Sequence, residues 1–176
     1  MTEVLAALLG TFVGGLISWI TNVSTKKTQA TFDMKREFDS PSMYQSRTIA
    51  HELLKKHPTI TIDDVWEQYP DKQPHLWQIA SFYNQLWIAI KYRQVKLNLV
   101  PELFGEAFIW WYVCFFKERY IPKYQSSQTA KQLHSLRKWM NKHADKADMN
   151  DWEHFALEEL RQYKLTLSND FDPASP

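Results

Sequence analysis

The sequence predicts an all-α protein: one N-terminal transmembrane helix, then a compact cytoplasmic helical bundle of about five to six helices. Three observations predict it. Residues 4–23, VLAALLGTFVGGLISWITNV, carry no charge. Downstream, apolar residues recur with the helical period, and no stretch alternates as a strand would. The chain has 176 residues, 44% of them hydrophobic and 23% charged, which suits one folded domain behind an anchor and excludes wholesale disorder.

A helix of about 20 residues spans roughly 30 Å of hydrocarbon, which matches residues 4–23. Trp19 stands near one end, where indoles favour the interface. A cleaved signal peptide needs positive charge before the apolar run, yet Glu3 precedes it and Lys26 and Lys27 follow. Lys26, Lys27, Lys35 and Arg36 after the span place the C-terminal part in the cytoplasm by the positive-inside rule. The expected location is therefore a cell inner membrane, single-pass, with the N-terminus outside. Ala6, Gly10, Gly14, Ser18 and Asn22 recur every four residues, a small-residue stripe. Gly10, Gly14 and Ser18 are the expected oligomerisation contacts, making the lipid bilayer and a second copy of the chain the first expected partners.

Residues 24–40 are polar and charged and are expected to leave the membrane as a helical stalk. Residues 41–168 form the expected cytoplasmic domain, and 169–176 a flexible tail. Ser40-Pro41 reads as an N-cap with proline in the first turn, opening a helix through Lys56. Thr61 with Asp64 has capping-box spacing for a short helix through Trp66. His75 to Arg93 carries Leu76, Ile79, Phe82, Tyr83, Leu86, Trp87 and Ile90 on the helical period. Pro101 opens a helix over Glu102 to Tyr120. Its run AFIWWYVCFF, fenced by Glu106 and Lys117, is too short to cross a bilayer and reads as the buried central helix. Gln128 to Lys142 follows, and Asn150 with Glu153 predicts a cap for a last helix, Asp151 to Tyr163.

Several chemistries are excluded or thin. Cys114 is the single cysteine, so there is no internal disulfide and no cysteine-based zinc cluster; it reads as a small core residue. The four glycines leave none for a phosphate-binding loop. The six histidines include no pair spaced four apart, so no metal site and no cofactor is expected. Glu102, Glu106, Glu158 and Glu159 lack the histidine partners of a di-iron bundle and read as solvated or capping carboxylates.

The net charge of +1 hides a division. Residues 1–90 sum to −1, residues 91–146 to +7 and residues 147–176 to −5. The basic middle can face anionic lipid, hold a nucleotide or RNA phosphate with Trp110, Trp139 or Tyr124 stacking, or be neutralised by the acidic last helix. The third needs no partner and ranks first. For an outside ligand, Lys131, Arg137, Lys138 and Lys142 are the candidate binding residues. Within this segment RKWMNKH sets five residues between Arg137 and His143. The spacing resembles the Arg-to-His motif of HEPN-fold ribonucleases, which are small helical bundles. The resemblance implies a catalytic pair, Arg137 on phosphate and His143 in proton transfer. Lys138 departs from the polar residue that usually follows the arginine there, and a solvated basic face explains the same residues.

Four segments carry a broader likeness: the N-terminal span, MKREFDSPSMYQSR (34–47), FYNQLWIAIKYRQVKLNLVPELFGEAF (82–108), and the aromatic helix ending in KERY (117–120). Together they resemble a family of small bacterial membrane-anchored helical proteins of unknown function, DUF four-seven-six-zero. The resemblance implies a helical cytoplasmic domain behind one transmembrane helix and transfers no catalytic residue. The expected function is a membrane-anchored, non-enzymatic helical module. It would bind a cytoplasmic protein or a nucleotide-like ligand and act through an oligomerised span, in the layout of a bacterial defence or signalling effector. The alternative is a membrane-tethered HEPN-like ribonuclease using Arg137 and His143.

Overall fold

The computed structural model describes the backbone of residues 2–169 and the side chains of residues 18, 19 and 21–166. Among the described residues seven helices follow one another: α1 (Thr2–Phe38), α2 (Pro41–Lys56), α3 (Ile62–Gln68), α4 (Gln73–Lys91), α5 (Leu99–Lys123), α6 (Gln128–His143) and α7 (Lys146–Asn169). No strand occurs among the described residues. The helical bundle is as the periodicity predicts. The side chains of most of the expected span (4–23), Gly10 and Gly14 included, lie outside the described residues, as do residues 170–176 of the expected tail.

Local chemistry places the helix ends. Ser40 caps α2, its side chain accepting from Met43 N, with Pro41 in the first turn. The capping box at Thr61 and Asp64 forms in both directions: Asp64 N donates to Thr61 Oγ1 at 3.1 Å, and Thr61 N donates to Asp64 Oδ2 at 3.0 Å. The Thr61 hydroxyl, donating to Asp64 Oδ2 at 2.6 Å, and then the Thr61 backbone N–H hold the Asp64 carboxyl below its usual range. The start of α7 differs from the sequence expectation. It begins at Lys146 because Asp145 takes the capping position, its Oδ1 accepting from Ala147 N at 2.7 Å. Met149, buried, adds an inward-facing turn ahead of Asn150, which sits inside the helix.

α5 is the hub. It is the one helix among the described residues long and apolar enough to cross a membrane, with mean hydropathy 1.3, but 67% of that stretch is buried within the fold. Phe104, Phe108, Ile109, Phe115 and Phe116 are buried within it, and residues Tyr112–Tyr120 adopt π-helical turns. Each such side chain contributes about 1.5–3 kcal/mol on burial. Cys114 donates to the Ala156 carbonyl at 3.6 Å. Burial pushes its thiol up to about 12, so it stays protonated as a small core residue.

Of residues 24–40 those up to Phe38 continue the helix, but the expected stalk packs into the core. Thr31 and Phe38 are buried, and the Phe38 ring lies 5.0 Å from Phe82 and 6.0 Å from Phe104. Charge density along the segment concealed this, since Asp33, Lys35, Arg36 and Asp39 pair with one another on the outer face.

α7 runs parallel to α5 at close range, and Gly105 makes that approach possible. A Cβ there would fall 2.5 Å from two ring atoms of Trp152. Gly105→Ala is therefore expected to cost about 1–3 kcal/mol by overpacking. This appears as a lowered thermal midpoint of the detergent-solubilised full chain. In a Trp152→Ala background the added cost should nearly vanish; an unchanged cost there would refute the seat.

Candidate ligand-binding cleft

Three helices converge on an open cleft of about 410 Å³, lined by Tyr44, Arg47, Thr48 and His51 of α2, Glu106, Ala107, Trp110 and Trp111 of α5, and Phe155 and Glu159 of α7. Helical spacing explains the set. Tyr44, Arg47 and His51 fall on one face of α2, Glu106 and Trp110 stand four apart on α5, and Phe155 and Glu159 four apart on α7.

The cleft floor is a hydrogen-bond network centred on Glu159. Trp110 Nε1 donates to Glu159 Oε2 at 2.5 Å, and the Tyr163 hydroxyl donates to Glu159 Oε1. His51 Nε2 lies 2.6 Å from the Tyr163 hydroxyl and 3.3 Å from Glu159 Oε1. With the tyrosine proton directed at the carboxylate, the phenol oxygen is left to accept from His51. Burial, and then the bond to the Glu159 carboxylate, raises the Tyr163 pKa, which keeps this donor in place. The His51 ring also meets Trp110 edge-on at 4.9 Å. Glu159 is thus not the solvated carboxylate expected from sequence, its side chain being 24% exposed.

The rim is chemically different. Tyr44 and Phe155 are exposed rings, and Glu106 is exposed with no ion pair among the described residues. The Arg47 guanidinium stacks on Phe38 at 4.0 Å, and its buried Nε has no hydrogen-bond acceptor. A cation, a carboxylate and several rings therefore border one cavity.

Of the residues singled out from sequence, Trp110, Glu106 and Glu159 line the cleft, and the basic candidates and His143 lie elsewhere. Arg137 is paired with Glu153 of α7 and sits 5.8 Å from the Tyr112 ring centroid. His143 stacks on Trp139 at 4.3 Å, with Nδ1 2.9 Å from the Trp139 carbonyl. A small cavity of about 260 Å³ includes Arg137 and Lys138 but not His143, so the structure does not bring the Arg–His pair together. Lys131 and Lys142 are exposed on α6, and with Lys138 they make no ion pair among the described residues. Neutralisation of the basic middle by the last helix thus applies to Arg137. Among the described residues no group of three or more His, Cys, Asp or Glu side chains is placed to hold a metal. Comparison with protein-family models, with curated proteins and with solved structures found no match to the chain. The chemistry of the cleft therefore carries the functional reading.

Sequence reasoning missed the cleft although its signal was present. Each of three helices offered polar and aromatic residues three or four apart, but only the packing shows that those faces meet. Glu159→Ala, which strands the Trp110 and Tyr163 donors, is expected to cost about 2 kcal/mol. That corresponds to roughly 4–8 °C in the thermal midpoint of the full chain. The rim change Phe155→Ala should stay within about 0.5 kcal/mol. A Glu159→Ala protein melting like the parent would show that the network contributes nothing.

Proposed function

We propose that the chain is a membrane-anchored, non-enzymatic helical module whose cytoplasmic domain binds a small nucleotide-like ligand between α2, α5 and α7. The observation that carries this reading is the meeting of Arg47, which makes no ion pair among the described residues, with the rings of Tyr44, Trp110 and Phe155 around one open cavity. A planar base stacks on such rings, and a phosphate is a natural partner of a guanidinium that holds no carboxylate. Glu106 can accept from the amino edge of the base. His51 Nε2, the Tyr163 hydroxyl and Glu159 Oε1 are committed to one another and Glu159 Oε2 to Trp110, which favours a rigid binding floor over acid–base chemistry.

The anchor rests on the uncharged residues 4–23, and the resemblance to small membrane-anchored helical proteins supports the same layout. In this reading the N-terminus is outside the inner membrane. The span associates with a second copy through Gly10, Gly14 and Ser18, and ligand binding is relayed as in a bacterial defence or signalling effector. Ser18 is exposed, in keeping with that use.

Two measurements test the reading. Thermal unfolding of the detergent-solubilised full chain should rise with at least one of ATP, GTP, CTP or UTP, by about 2.7 kcal/mol at a hundredfold excess over Kd. Arg47→Ala and Tyr44→Ala should abolish the rise; no response to any of the four rejects the ligand class. Gly10→Leu combined with Gly14→Leu should lower the detergent-solubilised mass toward that of a monomer, and an unchanged mass rejects association through the stripe.

A further inference from the structure

The loop joining α4 to α5 folds back against α1. Arg93, Val95, Lys96, Leu97 and Asn98 face Trp19, Val23, Ser24 and Lys27 across a cavity of about 560 Å³. Two hydrogen bonds pin the loop: Lys96 N donates to Thr31 Oγ1 at 2.8 Å, and Lys96 Nζ donates to Ser24 Oγ at 3.1 Å. Thr31 is 0% exposed, so the attachment is part of the packed domain.

The position of this cavity along α1 matters. Ser24 follows the last residue of the predicted span, and Trp19 lies only about 6 Å up the helix from Val23. The cavity therefore stands where hydrocarbon gives way to headgroups. Its charged lining is all cationic: Lys27, Arg93 and Lys96, none in an ion pair among the described residues. Lys26 and Lys91 add to the same charge nearby in sequence. Trp19 and Tyr92 are 65% and 64% exposed, the residue types that settle at a bilayer interface. Arg93 has φ of 54°, a left-handed conformation that disfavours any side chain with a Cβ. Bonds from Arg93 N to the Ile90 carbonyl at 3.0 Å and from Gln94 N to the Ala89 carbonyl at 2.8 Å hold it there.

We propose that this cavity binds the headgroup of an anionic phospholipid, with Lys27, Arg93 and Lys96 on its phosphate and the Trp19 and Tyr92 rings at the interface. The domain then lies flush against the leaflet rather than hanging below it. The inference rests on residues 4–23 being a span, and it adds a lipid preference that an anchor alone does not have. A free phosphate offers the same anionic chemistry, so the test separates the two.

The full chain, solubilised in nonionic detergent, is mixed with phosphatidylglycerol or phosphatidylcholine and weighed by native mass spectrometry. Phosphatidylglycerol should be retained preferentially, and inorganic phosphate should not displace it. Arg93→Asn with Lys96→Gln should lower that retention about tenfold. Asparagine tolerates the left-handed backbone, and glutamine gives up the Nζ bond to Ser24 but keeps the buried backbone bond to Thr31, which holds the loop. Lys55→Gln with Lys56→Gln, at the far end of α2, should leave retention unchanged. Equal retention of the two lipids, insensitivity to the loop variant, or displacement by inorganic phosphate overturns the proposal. Carbonate extraction of membranes holding the full chain separates the two readings. A chain that stays in the pellet yet shows no lipid preference loses the headgroup site alone. A chain released by carbonate loses the anchor and the headgroup site together.

Discussion

The close crossing of α5 and α7 at Gly105 is the constraint on which the rest of the structure depends. With no side chain at Gly105, the Trp152 ring lies directly against the backbone of the central helix. Every later contact between the two helices follows from that spacing. Cys114 reaches the Ala156 carbonyl, and Glu159, two turns beyond Trp152, comes within reach of the Trp110 indole. A wider crossing would leave Glu159 as a surface carboxylate and the cleft without a floor. Gly105 is also the one glycine outside the N-terminal segment, so this backbone approach has no second provider.

Two carboxylates of α7 do related work at different depths. Glu153 takes the Arg137 guanidinium of α6 beside Tyr112, and Glu159 takes the Trp110 and Tyr163 donors beside His51. Glu159 is largely shielded, so its bonds matter more than an exposed pair would, whereas Glu153 reaches the shielded Arg137 from a more open position. The acidic end of the chain thus fastens α7 to α5 and α6 rather than cancelling the basic middle wholesale. Most of the lysines of that middle keep their charge for the surface.

Much of the fold was legible in sequence because local chemistry set it. Ser40 with Pro41 and Thr61 with Asp64 mark helix starts that a reader can recognise without coordinates, and the run from Ala107 to Phe116 could be stable only if buried. The last helix was misplaced because Asn150 and Glu153 mimic a capping box, while Asp145 does the capping a turn earlier. Residues 24–40 looked like a stalk because their charges are close in sequence, though Asp33, Lys35, Arg36 and Asp39 pair on the outer face of the helix. The cleft was illegible for a stricter reason: Arg47, Glu106 and Glu159 are far apart in the chain, and only the packing of α2, α5 and α7 brings them together, Gly105 setting the approach of the last two.

The continuity of α1 has a mechanical consequence. From Thr2 to Phe38 the helix is unbroken, a rod of about 55 Å with no hinge before the core. Rotation or tilt at its N-terminal end must reappear at Phe38. That ring touches Phe82 and Phe104 and carries the Arg47 guanidinium. The same aromatic ring is therefore a bearing of the rod and the seat of the cleft's cation. A load along the rod reaches the cleft's cation at this ring, and the central helix also through the loop bonded to Ser24 and Thr31.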